Sequence, residues 1–286
     1  MIFLKPKNIY HVLIQKIINL FFRLWRSISK KFLSRKSNHN YINGNFFKDL
    51  SNKKSNLIYH ELDKRLPSKK KIEIFKNKVW IFHNSDTSFD YKKKKQLYKF
   101  SPKYCFSQNL IIKDKRFNFL PIGLENEEHY NHGNIKEFKI LRKKKIYKIP
   151  QILYGFKMTN KSRLKIKKIF DNCKLCVETS GWNSYFYRRI MMKYMFAICP
   201  EGNGFDTHRF WECLYLKTIP IVKKNSFNIH FLKTELPVFF LNNWSEVKNL
   251  KLDQLINFYR TKKNKFYNKI LFKNYWKRLI FKITDK

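Results

Sequence analysis

FAICPEGNGFDTHRFWECLYLKTIPIV, residues 196–222, reads as a strand, a glycine-bearing loop, a helix and a second strand. Met195 to Cys199 are apolar and short enough for a buried strand, and Pro200 ends that run. Gly202 and Gly204 bracket Asn203, so the backbone is free to turn sharply and to approach a ligand closely. Asp206 or Thr207 is placed to cap a helix over residues 207–216 through a side-chain oxygen. Thr218 to Val222 restarts a β-branched apolar run, with Pro220 tolerable near a strand start. A turn between strand and helix at the carboxyl end of a sheet is where an open α/β fold holds its ligand.

Two charges on the helix sharpen this reading. Arg209 and Glu212 are three apart and share a face within the first turns. A helix N-terminus favours an anion, and Arg209 can clamp the same anion through paired N–H donors. Glu212 is wrong for a phosphate but suited to accepting from two sugar hydroxyls. Anion at the tip and hydroxyls one turn further in describe a nucleotide diphosphate with its ribose. The same spacing also suits an exposed Arg209–Glu212 ion pair with no ligand.

The stretch Cys199 to Val222 resembles the donor-site signature of exostosin-type glycosyltransferases, close to C-P-x-G-x-G-x-D-[ST]-x-R-x-[WF]-E-A-L-x-x-G-x-[IV]-P-[IV]. A looser likeness to the fucosyltransferase donor motif points the same way. Cys199, Pro200, Gly202, Gly204, Asp206, Thr207, Arg209, Trp211, Glu212, Leu214, Ile219, Pro220 and Ile221 fall on the pattern. Cys213 replaces a usual Ala and Lys217 a frequent Gly, neither at a proposed ligand contact. The resemblance implies an α/β chain of GT-B type. It would have two Rossmann-like domains with a cleft between them, the nucleotide sugar held by the C-terminal domain through Gly202, Asn203, Gly204, Asp206, Thr207, Arg209 and Glu212. Upstream of the motif the likeness is one of order and spacing.

At 286 residues the chain suffices for two modest domains, and with 43% hydrophobic and 17% aromatic residues it has material for their cores. Only 7 glycines occur, which makes the two in the central loop conspicuous. The net charge of +42 fits either a lysine-rich solvated surface or attraction to a polyanion such as nucleic acid, anionic lipid or phosphorylated glycan. Five cysteines make no disulfide framework in a chain this long. Cys173 and Cys176 form a C-x-x-C on an expected strand over 174–177, where positions three apart face opposite sides. Reduced, cytoplasmic thiols are expected, with no metal or redox centre.

Residues 1–36 carry a basic amphipathic helix. Leu13, Ile17, Leu20, Phe21, Leu24 and Ile28 form one stripe, and Lys16, Asn19, Arg23, Arg26 and Lys30 another. Lys16 and Arg23 interrupt any spanning apolar run, and no small-residue cleavage site follows. The helix suits the interface of an anionic membrane, which makes the protein peripheral to it. Packing on the protein's own core or a second subunit, or a signal anchor, are the alternatives. From Ser37 to Ser55 the chain is rich in Asn, Ser and Lys and reads as linker and loop.

The acceptor-side domain is expected over 37–148. Strands at 78–82, 104–107 and 117–120, with a lysine-heavy helix at 91–100, suggest a largely parallel sheet. His83, Asp86 and Glu125 lie where these strands end. Transfer with inversion needs a base on the acceptor side, and Asp86 and His83, then Glu125, are the candidates; a retaining transfer needs no such base, and both stereochemical courses fit the sequence. Asn84-Ser85-Asp86 is also an ordinary turn cluster.

The donor domain is expected over 149–245, with C-terminal helices over 246–286; the GT-B resemblance implies that residues 262–280 cross back to brace the first domain. A strand at 149–156, helices at 160–170 and 183–193, and a strand at 238–241 complete it. Tyr185, Arg188 and Arg189 offer further phosphate contacts, or a solvated arginine face. No D-x-D pair stands where a metal-dependent transferase needs one. The expected protein is a glycosyltransferase moving a sugar from a nucleotide-diphosphate donor to a glycan or glycolipid acceptor at an anionic membrane surface. The competing class is a basic nucleic-acid-binding protein without catalytic activity. No RRM, KH or helix-turn-helix signature supports it, so no specific nucleic acid is expected as a partner.

Overall fold

The computed structural model describes residues 17, 20, 21, 39–68, 72–129, 132–156, 161–179 and 184–285. The expected helix at 1–36 therefore lies outside the described residues, except that Ile17, Leu20 and Phe21 are helical and exposed.

Two parallel sheets in a two-domain, Rossmann-like α/β layout form the chain. The first has strands β1 (Leu57–His60), β2 (Val79–Phe82), β3 (Tyr104–Ser107) and β4 (Phe117–Phe119), paired in that order. Every residue of β2 is buried, as a parallel strand covered on both faces requires. Three residues adopt left-handed backbone just beyond its strands: Asn84 after β2, Asn109 after β3 and Gly123 after β4. At Gly123 a Cβ would stand 2.4 Å from the Ile42 carbonyl oxygen, so glycine is required there.

The second sheet contains β5 (Ile149–Tyr154), β6 (Cys176–Glu178), β7 (Tyr194–Ile198), β8 (Ile219–Lys223) and β9 (Phe239–Leu241), in the order β6-β5-β7-β8-β9. The β5–β7 pairing shifts register between Ile149 and Ile152, around Pro150, which has no N–H for the ladder. Strand order reverses beside β5, which makes its junction with β7 the topological switch point.

Residues 37–55 are not only linker. Gly44–Ser51 is a helix, α1, because Asn43 accepts from the Phe46 N–H and so caps it, while Phe47 and Leu50 share the buried face. Helices α2 (Ile72–Phe75) and α3 (Tyr91–Leu97) belong to the first unit, and α4 (Ile135–Lys143) connects the two. The second unit adds α5 (Lys161–Asp171), α6 (Ser184–Met191) and α7 (His208–Tyr215), followed by α8 (Leu252–Lys262) and α9 (Lys273–Thr284). Of the basic stretch 142–148 that joins the units, Lys143, Lys144 and Lys145 are exposed, while Arg142 and Lys148 turn back onto the protein. Arg142 donates to the Leu214, Tyr215 and Phe266 carbonyls, and Lys148 to the Tyr194 and Leu216 carbonyls and the Thr218 hydroxyl. Both cations thus satisfy carbonyls at or near the end of α7, where their charge is also favourable.

The last helix does return to the first unit. Trp276 packs on Phe47 and Phe119 with ring centroids 6.4 and 5.5 Å away, and Phe272 bridges Tyr41. The C-x-x-C spans a turn rather than a strand: the Cys176 N–H donates to the Cys173 carbonyl, and β6 begins only at Cys176. All five cysteines are free thiols.

Candidate functional site

The stretch 194–223 folds as strand, loop, helix and strand. Thr207 holds the N-cap position of α7 in extended backbone but makes no side-chain capping bond. Asp206 does not cap the helix either. Its buried carboxylate accepts the Ile122 N–H at 2.7 Å and the Trp211 indole N–H at 2.9 Å, while its own N–H donates to Asn109 Oδ1 at 2.7 Å. The motif carboxylate thus joins the two units, and burial pushes its pKa up to about 7.

Gly204 serves the contact between the units. Neither Gly202 nor Gly204 has a positive φ. A Cβ on Gly204 would meet Asn109 Nδ2 at 2.7 Å and the Asp86 carbonyl at 3.1 Å, so this glycine lets the loop close on the first unit. Gly202 faces Arg163, whose Nη2 lies 3.4 Å from the position a Cβ would take. Asn203 is exposed.

Arg209 and Glu212 do not form the exposed pair considered above. The Arg209 guanidinium donates to the Gly155 carbonyl and lies over the Tyr187 ring, 4.3 Å from its centroid. Gly155 directly follows β5, so Arg209 sits at the switch point. Arg163 reaches the same loop, its Nε donating to the Glu201 carbonyl at 3.0 Å. Burial, then the nearby Arg209, hold its pKa below the ordinary value. Around this pair, the Tyr187 and Thr179 hydroxyl oxygens are buried with no hydrogen-bond partner among the described residues. Thr179 touches Gly155 closely: a Cβ there would stand 1.9 Å from its carbonyl oxygen.

Glu212 receives Arg188 Nε at 3.3 Å and Nη2 at 3.0 Å, both on Oε1. Burial alone would raise its pKa, but Arg188 and Arg209 outweigh that and hold it below the ordinary value. Arg188 is not on a solvated face. It is 1% exposed, also bonds Glu137 Oε2 at 3.1 Å, and lies over Phe138. Its neighbour Arg189 pairs with Glu137 through the other oxygen. A single buried arginine therefore ties α4 to α7.

On the facing side the candidate bases separate. His83 is fully buried, donates through Nε2 to the Pro121 carbonyl at 3.0 Å and accepts the Asn84 N–H on Nδ1 at 2.8 Å. Burial lowers its pKa to about 4, so it is a neutral structural histidine with both nitrogens engaged. Asp86 is exposed in the turn beside Gly204. Glu125 is partly exposed and lies 3.3 Å from His208 Nε2. His208 reaches back to the Gly123 carbonyl through Nδ1 at 2.9 Å.

Sequence reasoning missed Arg163, Glu137 and His208 as members of this cluster. Arg163 looked like one of many cations on a basic helix, and Glu137 falls in a stretch with no motif. The signal for His208 was its place next to Arg209 and four before Glu212. Among the described residues, no three His, Cys, Asp or Glu side chains gather as metal ligands, and no helix is long and apolar enough to cross a membrane.

No protein-family model matches the chain. A segment of 70 residues is 39% identical to the N-acetyl-gamma-glutamyl-phosphate reductase of Brachyspira hyodysenteriae, covering 24% of this chain and 19% of that protein. The chain thus spans about a fifth of the relative it matches.

Proposed function

We propose that the chain is a GT-B-type glycosyltransferase, similar to the exostosin family. It moves a sugar from a nucleotide-diphosphate donor to a glycan or glycolipid acceptor at an anionic membrane surface. One observation carries the reading: Arg209 and Arg163 lie near each other at the switch point of the second sheet, beside two buried hydroxyls that have no hydrogen-bond partner among the described residues. Ligands of open α/β sheets bind at such a point, and buried polar atoms are ordinarily hydrogen-bonded. In this reading the arginines and the tip of α7 neutralise the leaving diphosphate. Glu212 Oε2, which carries neither bond from Arg188, accepts from the ribose hydroxyls. The first sheet presents its strand ends, with Asp86 and Glu125, to the same loop, which supports an acceptor entering from that side.

The test is thermal shift with UDP, GDP and CMP and their sugars, beside single-stranded RNA. A nucleotide diphosphate should raise the melting temperature in proportion to saturation. RNA binding should be weak and steeply salt-dependent, as phosphate-only contacts are. Selective RNA binding at physiological salt with no response to any nucleotide would replace this reading with the nucleic-acid one.

A further inference from the structure

His208 and Glu125 come from opposite units and meet at the edge of the motif helix. His208 is the first residue of α7, and Glu125 follows the end of β4. The Gly123 carbonyl can only accept, so the hydrogen of a neutral His208 ring sits on Nδ1. Nε2 then turns its lone pair toward Glu125 Oε2 at 3.3 Å. Two acceptors thus face each other at this distance, with room for one proton to enter between them. Once it does, an imidazolium–carboxylate pair forms with a charge-assisted hydrogen bond. Glu125 Oε1 accepts the Asn126 N–H at 3.0 Å, which orients the carboxylate. Neither side chain is sealed off: they are 32% and 22% exposed. His208 is one residue from Arg209 and one turn from Glu212, the groups assigned above to the donor.

The geometry points to the Glu125–His208 pair as the proton acceptor of an inverting glycosyl transfer, an inference that rests on the transferase reading. An acceptor hydroxyl oxygen forms its bond to the anomeric carbon while the bond from that carbon to the diphosphate oxygen breaks, its electron pair leaving with the diphosphate. The hydroxyl proton comes to rest between Glu125 Oε2 and His208 Nε2. The negative charge departs toward Arg209 and the positive charge stays beside Glu125, so neither is left unpaired. His83 cannot share this role, since both of its nitrogens are already bonded inside the first unit. The pair is also divided between the units, so it exists only when the motif helix and the β4 end are docked.

The experiment measures release of nucleotide diphosphate from UDP-glucose, UDP-N-acetylglucosamine, GDP-mannose and GDP-fucose, with water or lactose as acceptor. It compares wild type, His208→Ala and Glu125→Gln, with UDP and GDP affinity measured alongside. Each variant should lose about a hundredfold or more in kcat, while KM for the donor and nucleotide affinity change by less than about threefold. Added imidazole should restore part of the His208→Ala rate, which a merely structural residue would not allow. The product anomer, read by NMR, should be inverted. Variant rates within threefold of wild type, losses confined to KM, a retained anomer, or nucleotide binding without turnover of any of the four donors would each overturn the assignment. Wild-type protein that binds neither UDP nor GDP would instead overturn the transferase reading beneath it.

Discussion

Arg209 occupies a position where lysine is a poor substitute. Its flat guanidinium lies over Tyr187 and holds the Gly155 carbonyl, and a lysine ammonium can neither stack nor present a fork of donors. Arg209→Lys should keep the charge yet weaken nucleotide-diphosphate affinity about ten- to a hundredfold, the worth of one charge-assisted hydrogen bond. Asp206 yields a prediction about pH. Its unfolded pKa near 3.8 rises to about 7 in the fold, so between these values the folded chain holds a proton that the unfolded chain has lost. The resulting stabilisation is complete below the lower value and disappears as pH rises through the upper one. His83 runs the other way: lowered from 6.5 to about 4, it favours the fold above 6.5 and ceases to as pH falls through 4. The two trends oppose each other in the wild type, so the comparison is with Asp206→Asn, which lacks the first. Its stability deficit in urea should be largest near pH 4 and shrink by about 1–3 kcal/mol toward pH 7. A deficit independent of pH would mean that Asp206 is ionised throughout.

Helix α6 matters to the site chiefly through one buried residue. Arg188 stands between Glu137 on α4 and Glu212 on α7, and its removal strips the largely buried Glu212 of its arginine hydrogen bonds and leaves buried Glu137 only Arg189. Arg188→Met should therefore cost about 3–5 kcal/mol in chemical unfolding, while Glu137→Gln/Arg188→Met together should cost less than the sum of the singles. At this scale the sequence was informative where local chemistry is explicit. The strand, loop and helix of 194–215 follow from an apolar run ended by Pro200 and from the break at Gly202 to Thr207. Strand β3 likewise follows from four residues between turn signals. Helix α1 was hidden because Asn43, Asn45 and Lys48 look like loop composition, although Asn43 is its cap and Phe47 and Leu50 are its anchors. Arg188 was misread for a related reason. Its neighbours along the chain suggest a cationic surface, whereas its burial is decided by Glu137, fifty-one residues away. The same holds for Asp206: the helix-cap reading is sound locally, and the Ile122 amide that outcompetes it arrives from the other unit.

The whole molecule is held together by contacts that cross between the sheets. Besides Asp206 and His208, the Ile42 N–H donates to the Tyr215 hydroxyl, His230 bonds the Leu110 carbonyl, and α9 lies against the first unit through Trp276. Trp276→Ala should cost about 3–5 kcal/mol and lower the protection of both units against amide exchange, since the side chain is 1% exposed. The net charge of +42 acts at the same scale. Lys16, Arg23, Arg26 and Lys30 each contribute about 1 kcal/mol beside an anionic leaflet, so deleting residues 1–36 should abolish flotation with anionic vesicles and spare nucleotide binding. Equal, negligible binding of the full chain to anionic and neutral vesicles would remove the membrane from the account. The central claim is that the switch point beside Arg209 and Arg163 holds a nucleotide diphosphate. Calorimetric titration of UDP and of GDP into the wild type and into Arg209→Lys tests it most directly. The account predicts one site per chain for at least one of the two, weakened at least about tenfold by the substitution while the melting temperature stays within a few degrees. No heat from either nucleotide with the folded wild type, or equal affinity in both proteins, would contradict it.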